Sequence, residues 1–166
     1  MISLLPSIIV LGIVALVAIR LAVTRRLDSG TSAERHTVAI LFAIATAIQA
    51  IHFIEEAATG FHERFPALLG LPPMPFSVFV AFNLVWIIIW IVSVPGVRIA
   101  HKGAFFAAWF LAIAGALNGI AHPLMAAATG GYFPGLYTSP VIGIAGILLW
   151  RRLHGATAAP HSAETA

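Results

Sequence analysis

The sequence predicts an all-α chain, a polytopic transmembrane bundle of about five helices. Three observations predict it. Sixty per cent of the 166 residues are apolar and 9% are charged, against about a quarter charged in an ordinary soluble domain. The apolar residues fall into runs of about 20, the length at which a helix crosses the hydrocarbon core of a bilayer. Most of the Arg and Lys residues stand at the ends of those runs, where a long stem carries its charge to the interface.

The first run, about 2–23, has no basic segment before it and is too long for the apolar part of a secretory signal, so it reads as a retained helix. Residues 24–36 are polar and charged and read as a loop. The second helix covers about 37–59. Residues 60–75 contain Pro66, Pro72, Pro73 and Pro75, which predict a loop without regular helix. The third helix covers about 76–94 and ends at Pro95-Gly96. The fourth covers about 104–129. The turn-rich segment Gly130-Gly131-Tyr132-Phe133-Pro134-Gly135 leads to a short fifth helix, about 139–150. Residues 1–154 read as one membrane domain, and the small polar residues of 155–166 predict a disordered tail.

The first loop carries Arg25, Arg26 and Arg35, the third Arg98 and Lys102, and the tail follows Arg151-Arg152. The second loop has only Arg64 and the fourth no Lys or Arg. The bias predicts an N-terminus outside and a C-terminus in the cytoplasm. The net charge of +3 is dispersed over helix ends, which fits orientation among membrane lipids and not a nucleic-acid partner. With no cysteine, a disulfide scaffold, a thiolate metal site and a cysteine nucleophile are excluded.

Glu55 and Glu56 are out of place in an apolar helix, where an ionised group costs roughly 2.5–3.5 kcal/mol at mid-membrane. His52 precedes them by three and four residues. At 100° per residue Glu55 lies about 60° to one side of His52 and Glu56 about 40° to the other. One face thus presents an imidazole between two carboxylates, with Gln49 one turn earlier. On the fourth helix Asn118 and His122 share a face, and Gly115 and Gly119 allow close approach of another helix. Asn83 on the third helix reads equally as site or as interhelical glue. By rise per residue, His52 lies about 6 Å, Glu55 and Glu56 about 11 Å, His122 about 9 Å, and Asn118 and Asn83 about 3 Å to the outer side of the membrane centre. Agreement in depth predicts one shared site in the outer half.

His52-Phe53-Ile54-Glu55-Glu56, a later His122 and Tyr132-Phe133-Pro134-Gly135 together resemble the HXXEE family of bacterial integral membrane proteins, with its H-x-x-E-E signature, further histidine and Y-x-P-G motif. The resemblance spans about 37–150. It implies a bacterial plasma membrane and a functional, catalytic role for the motif residues, and supplies no reaction.

The chemistry of these residue types points first to a divalent metal, zinc, iron or manganese. His52, His122 and one of Glu55 and Glu56 make a His₂Glu set with an open position, and the other Glu is left as a general base. Tyr132 would donate to a developing oxyanion, and Asn118 would orient a ligand or substrate. The expected protein is then a metal-dependent, hydrolase-like membrane enzyme taking a lipid-like or amphipathic substrate. Three alternatives stay open: acid-base catalysis without a metal, a non-catalytic protein that binds or transports an ion, proton or small ligand, and a bis-histidine haem, which would not explain two adjacent carboxylates. His62 and Glu63 are candidates for supporting or lid residues, and the proline-rich second loop, bearing Phe61, Phe65, Leu68 and Leu69, reads as a lid lying in the interface.

Overall fold

The computed structural model describes residues 2–157. They form six α-helices: α1 Leu5–Thr24, led in by a 3₁₀ turn at Ile2–Leu4, α2 Ser32–Ala58, α3 Phe61–Ala67, α4 Phe76–Arg98, α5 Lys102–Thr129 and α6 Ser139–Ala156. Four of these, α1 with its leading turn, α2, α4 and α5, are long and apolar enough to cross a membrane. The expected fifth span corresponds to α6. It has only 18 residues, and Arg151, Arg152 and His154 in its last turns lower its apolar content.

Several boundaries differ from the sequence reading. Helix α2 starts inside the expected loop because Thr31 and Glu34 form a capping box. Thr31 Oγ1 accepts from the Glu34 amide at 3.2 Å, and the Thr31 amide donates to Glu34 Oε2 at 2.7 Å, which satisfies two orphan donors. Helix α4 runs through Pro95-Gly96 to Arg98. The proline-rich loop contains α3 despite Pro66. A proline there leaves the carbonyl four residues earlier without its helical donor, and that carbonyl, of His62, instead accepts from the Met74 amide at 2.8 Å. Gly155 and Ala156 belong to α6. The remainder of the expected disordered tail, 158–166, lies outside the described residues.

Helices α2, α4, α5 and α6 form a closed ring, each packed on two neighbours, and α1 leans on the outside of α5. Helix α5 is consequently the most enclosed, with Phe105, Trp109 and Leu111 fully buried. The α5–α6 pair is close because small residues face each other. A Cβ on Gly119 would stand 2.7 Å from the Gly143 Cα, and one on Gly146 would stand 2.6 Å from the Ala116 nitrogen. Backbones that approach this closely gain dispersion contacts that apolar side chains facing lipid cannot supply. The outer surface stays apolar, with Ile8, Ile13, Leu16 and Val23 exposed on α1 and Val85, Ile88 and Val92 on α4. Such a surface is stable only where the solvent is hydrocarbon, as for an integral membrane protein.

The two ends of the bundle differ. At one end, Arg25 donates to Thr157 Oγ1 and to the His154 carbonyl, both at 2.7 Å. Arg35 donates to the carbonyls of Gly30 and Arg98. These guanidiniums satisfy carbonyls left over at the C-terminal ends of α6 and α4. Glu55 and Glu56, near the C-terminal end of α2, lie at the opposite end.

Candidate metal centre

Helix α2 delivers His52 and Glu56 one turn apart on a buried face, and α5 delivers His122 opposite them. His52 is 0% exposed, His122 2% and Glu56 6%. Glu56 Oε1 lies 3.6 Å from His52 Nε2 and 3.4 Å from His122 Nε2. The two rings stand edge to face, with centroids 4.7 Å apart. One ligand atom from each residue lies within 4.8 Å of the others, so the group can hold a metal ion. A tetrahedral ion with bonds of about 2.1 Å has ligand–ligand edges of about 3.4 Å, and both measured Glu–His distances are close to that edge. The donor set, two imidazoles and a carboxylate, suits zinc, iron or manganese.

The segment between α5 and α6 fastens this group from above, and each position of the Tyr132–Gly135 motif has a separate task. The Tyr132 hydroxyl donates to Glu55 Oε1 at 2.8 Å. Burial pushes the phenol above its ordinary range, and the Glu55 carboxylate pushes it further. Phe133 is fully buried against Phe61 and His122. The Pro134 carbonyl lies 2.6 Å from His122 Nδ1. A carbonyl only accepts, so Nδ1 carries a proton, and Nε2 is the ring nitrogen turned to the group. Gly135, in the left-handed region at φ 84°, leaves room for both imidazoles. A Cβ there would stand 2.5 Å from His122 Cε1 and 2.8 Å from His52 Cε1.

Residues 43–149 match the family described as "Protein of unknown function with HXXEE motif". The chain belongs to the HXXEE family. No curated protein and no solved structure matches it.

Of the HXXEE residues, His52 and Glu56 enter the candidate metal group, while Glu55 stands outside it. Its carboxylate turns to the 132–138 segment and accepts four hydrogen bonds: Tyr132 hydroxyl and Tyr137 amide on Oε1, Thr138 amide and hydroxyl on Oε2. Neighbouring helix positions are about 100° apart, so when Glu56 faces α5, Glu55 faces the loop. Asn118 is half-buried one turn before His122 and makes no side-chain hydrogen bond among the described residues. Asn83 donates to the Phe79 carbonyl of its own helix at 2.9 Å, away from the group. Gln49 is buried with its Oε1 unpartnered.

Three further residues contribute, of which the sequence reading gives neither Thr138 nor Arg64 a role at the site. Thr138 Oγ1 lies 2.7 Å from His52 Nδ1, and a threonine before Ser139-Pro140 reads simply as a helix cap. Phe61 packs on His122 with centroids 5.6 Å apart and stacks on Phe65 and Phe79, so α3 covers the group with aromatic surface. Arg64 ties that cover to the motif, donating to the Tyr132 carbonyl at 3.0 Å and lying over the Phe133 ring. His62, a lid candidate, packs against Phe76 and Phe79, and Glu63 beside it is largely exposed.

Proposed function

We propose that the chain is a metal-dependent, hydrolase-like enzyme of the membrane, with His52 Nε2, His122 Nε2 and Glu56 Oε1 as the protein ligands. The observation that carries the reading is the convergence of one ligand atom from each of these three buried residues within 4.8 Å of the others, with both Glu–His separations close to a tetrahedral edge. Three protein ligands leave a tetrahedral ion one position for substrate, the format of catalytic and not of structural zinc sites. A divalent ion there would supply Lewis acidity toward a carbonyl or phosphoryl oxygen. Glu56 and Glu55 together contribute two negative charges, which balance a divalent cation in a low-dielectric region. Glu55 acts through the loop it holds, and Tyr132 serves the same bracing.

Two features favour a lipid-like or amphipathic substrate. The aromatic cover of Phe61, Phe65 and Phe79 would exclude water from the group. The outward face of α4 is apolar, with Val78, Phe82 and Val85 exposed, which fits a substrate that arrives from the bilayer. With the basic end in the cytoplasm, the centre faces the outer leaflet. A C-terminal tag accessible from outside the cell would overturn that orientation.

The deciding experiment is the metal content of detergent-purified protein by mass spectrometry, wild type beside His52→Ala and His122→Ala. About one zinc, iron or manganese per chain is expected, lost in both variants. Folded wild-type protein that carries no metal, and was never exposed to chelator, overturns the reading. Hydrolysis of amphipathic ester substrates that persists in Glu56→Ala would remove the centre from catalysis.

A further inference from the structure

We propose that Thr138 is a positioning residue of this centre: with Glu55 it holds His52 in the tautomer whose Nε2 can ligate an ion. The inference rests on the metal reading for its consequence, and on hydrogen-bond donors and acceptors for its content.

Thr138 is the N-cap residue of α6, and its side chain makes no cap hydrogen bond. A threonine in that position ordinarily turns its oxygen to an amide of the first helical turn. Here the oxygen is diverted. It lies 2.5 Å from Glu55 Oε2 and 2.7 Å from His52 Nδ1. A hydroxyl has one proton to give, so the direction of this chain can be deduced. Glu55 accepts a backbone N–H on each oxygen, from Tyr137 at 3.1 Å and Thr138 at 2.9 Å, and the Tyr132 hydroxyl besides. Three donors that converge on it independently of the hydroxyl suit an ionised carboxylate, which can only accept. The Thr138 proton therefore goes to Glu55, and the Thr138 lone pair is left for His52. His52 must then donate from Nδ1, which leaves Nε2 as the nitrogen that can ligate an ion. That Nε2 is buried, has no hydrogen-bond partner and points at Glu56 Oε1.

His122 reaches the same tautomer through an unrelated acceptor, the Pro134 carbonyl. Two imidazoles from different helices are thus set by two acceptors on one short segment, and both present the same nitrogen to the same carboxylate. A hydroxyl polarised by a carboxylate also makes the imidazole a better donor to an ion, the usual effect of a group hydrogen-bonded behind a ligating histidine. Glutamine could not replace Glu55 in this arrangement, because its NH₂ would face one of the two fixed backbone N–H groups.

The test uses nitrogen NMR of ¹⁵N-histidine-labelled full-length protein without metal at neutral pH, with zinc titrations of wild type, Thr138→Val and Thr138→Ser. Wild-type His52 should show a protonated Nδ1 and a bare Nε2. Valine keeps the shape and removes the hydroxyl, so Thr138→Val should lose the single tautomer and bind zinc about 10–100-fold more weakly. Serine restores the hydroxyl and should stay within a few-fold of wild type. A Thr138→Val protein with unchanged tautomer and affinity overturns the proposal. So does a Thr138→Ser protein as weak as Thr138→Val, since packing and not the hydroxyl would then matter. If wild type binds no zinc, the metal reading fails, yet the nitrogen spectrum still decides on Thr138: a His52 protonated on Nε2 overturns it. The same spectrum decides alone if Thr138→Val does not fold.

Discussion

Gly135 and His122 touch so closely that a methyl group on Gly135 would stand 2.5 Å from the imidazole. The glycine also has φ 84°, a region costly for residues with a Cβ. Gly135→Ala should therefore destabilise through strain and overlap together, by about 2–4 kcal/mol. Thermal melts in detergent would measure it. Gly130, equally left-handed but with open space around it, is the control and should lose only about 1 kcal/mol on change to Ala.

Metal should stabilise the fold in proportion to its binding. At a free zinc concentration about 100 times the dissociation constant, the expected gain is about 2.7 kcal/mol. The melting temperature of wild type should rise with zinc and fall back with chelator. Glu56→Ala should show no rise. A rise in Glu56→Ala equal to wild type would place the ion elsewhere.

Tyr132→Phe removes one donor from Glu55 and should cost about 1 kcal/mol at neutral pH. The phenol is raised in the folded state, so the fold binds that proton more tightly than the unfolded chain does. Its contribution is complete below the unfolded value of about 10 and is lost as pH rises through the folded value. The stability gap between wild type and Tyr132→Phe should thus be flat up to about pH 10 and narrow above it. A gap that widens with alkali would reverse the sign and refute the assignment.

Arg25→Ala should act only at the far end. It removes the donors to Thr157 and the His154 carbonyl. Amides of the last turn of α6 should exchange faster by hydrogen exchange, with a loss of about 1–2 kcal/mol. Zinc binding should be unchanged, because the centre is at the opposite end of the bundle.

The sequence allowed some of this to be read and hid the rest for identifiable reasons. His52 and Glu56 are legible as a pair because four residues return a helix to nearly the same face. His122 is legible as their partner because helix direction and rise put it at the same depth. Which of Glu55 and Glu56 turns inward is not legible, since both flank His52 by similar angles and only the packing of α2 on its neighbours decides. Thr138 is hidden because a cap and a bridge use the same residue type, and the difference lies in residues more than 80 positions away. Helix α3 is hidden because the His62 carbonyl that Pro66 deprives of a donor is satisfied by Met74, across a stretch of prolines. The extension of α6 to Ala156 is hidden because its last turn is held by Arg25, from the other side of the sequence.

The hydrogen bonds of Glu55 span 77 to 83 residues, which has a consequence for synthesis. Helix α2 leaves the ribosome with both carboxylates, while every donor that will receive Glu55 is still untranslated. During that interval the nascent segment carries two acidic groups with no protein partner, and hydrocarbon is their worst surroundings. The shallow placement of the pair at one end of α2 lets headgroups and water hold the charges until the last loop arrives. Ribosome-bound chains arrested before residue 132 should accordingly keep residues 55 and 56 reachable by aqueous reagents, and chains arrested after α6 has emerged should not.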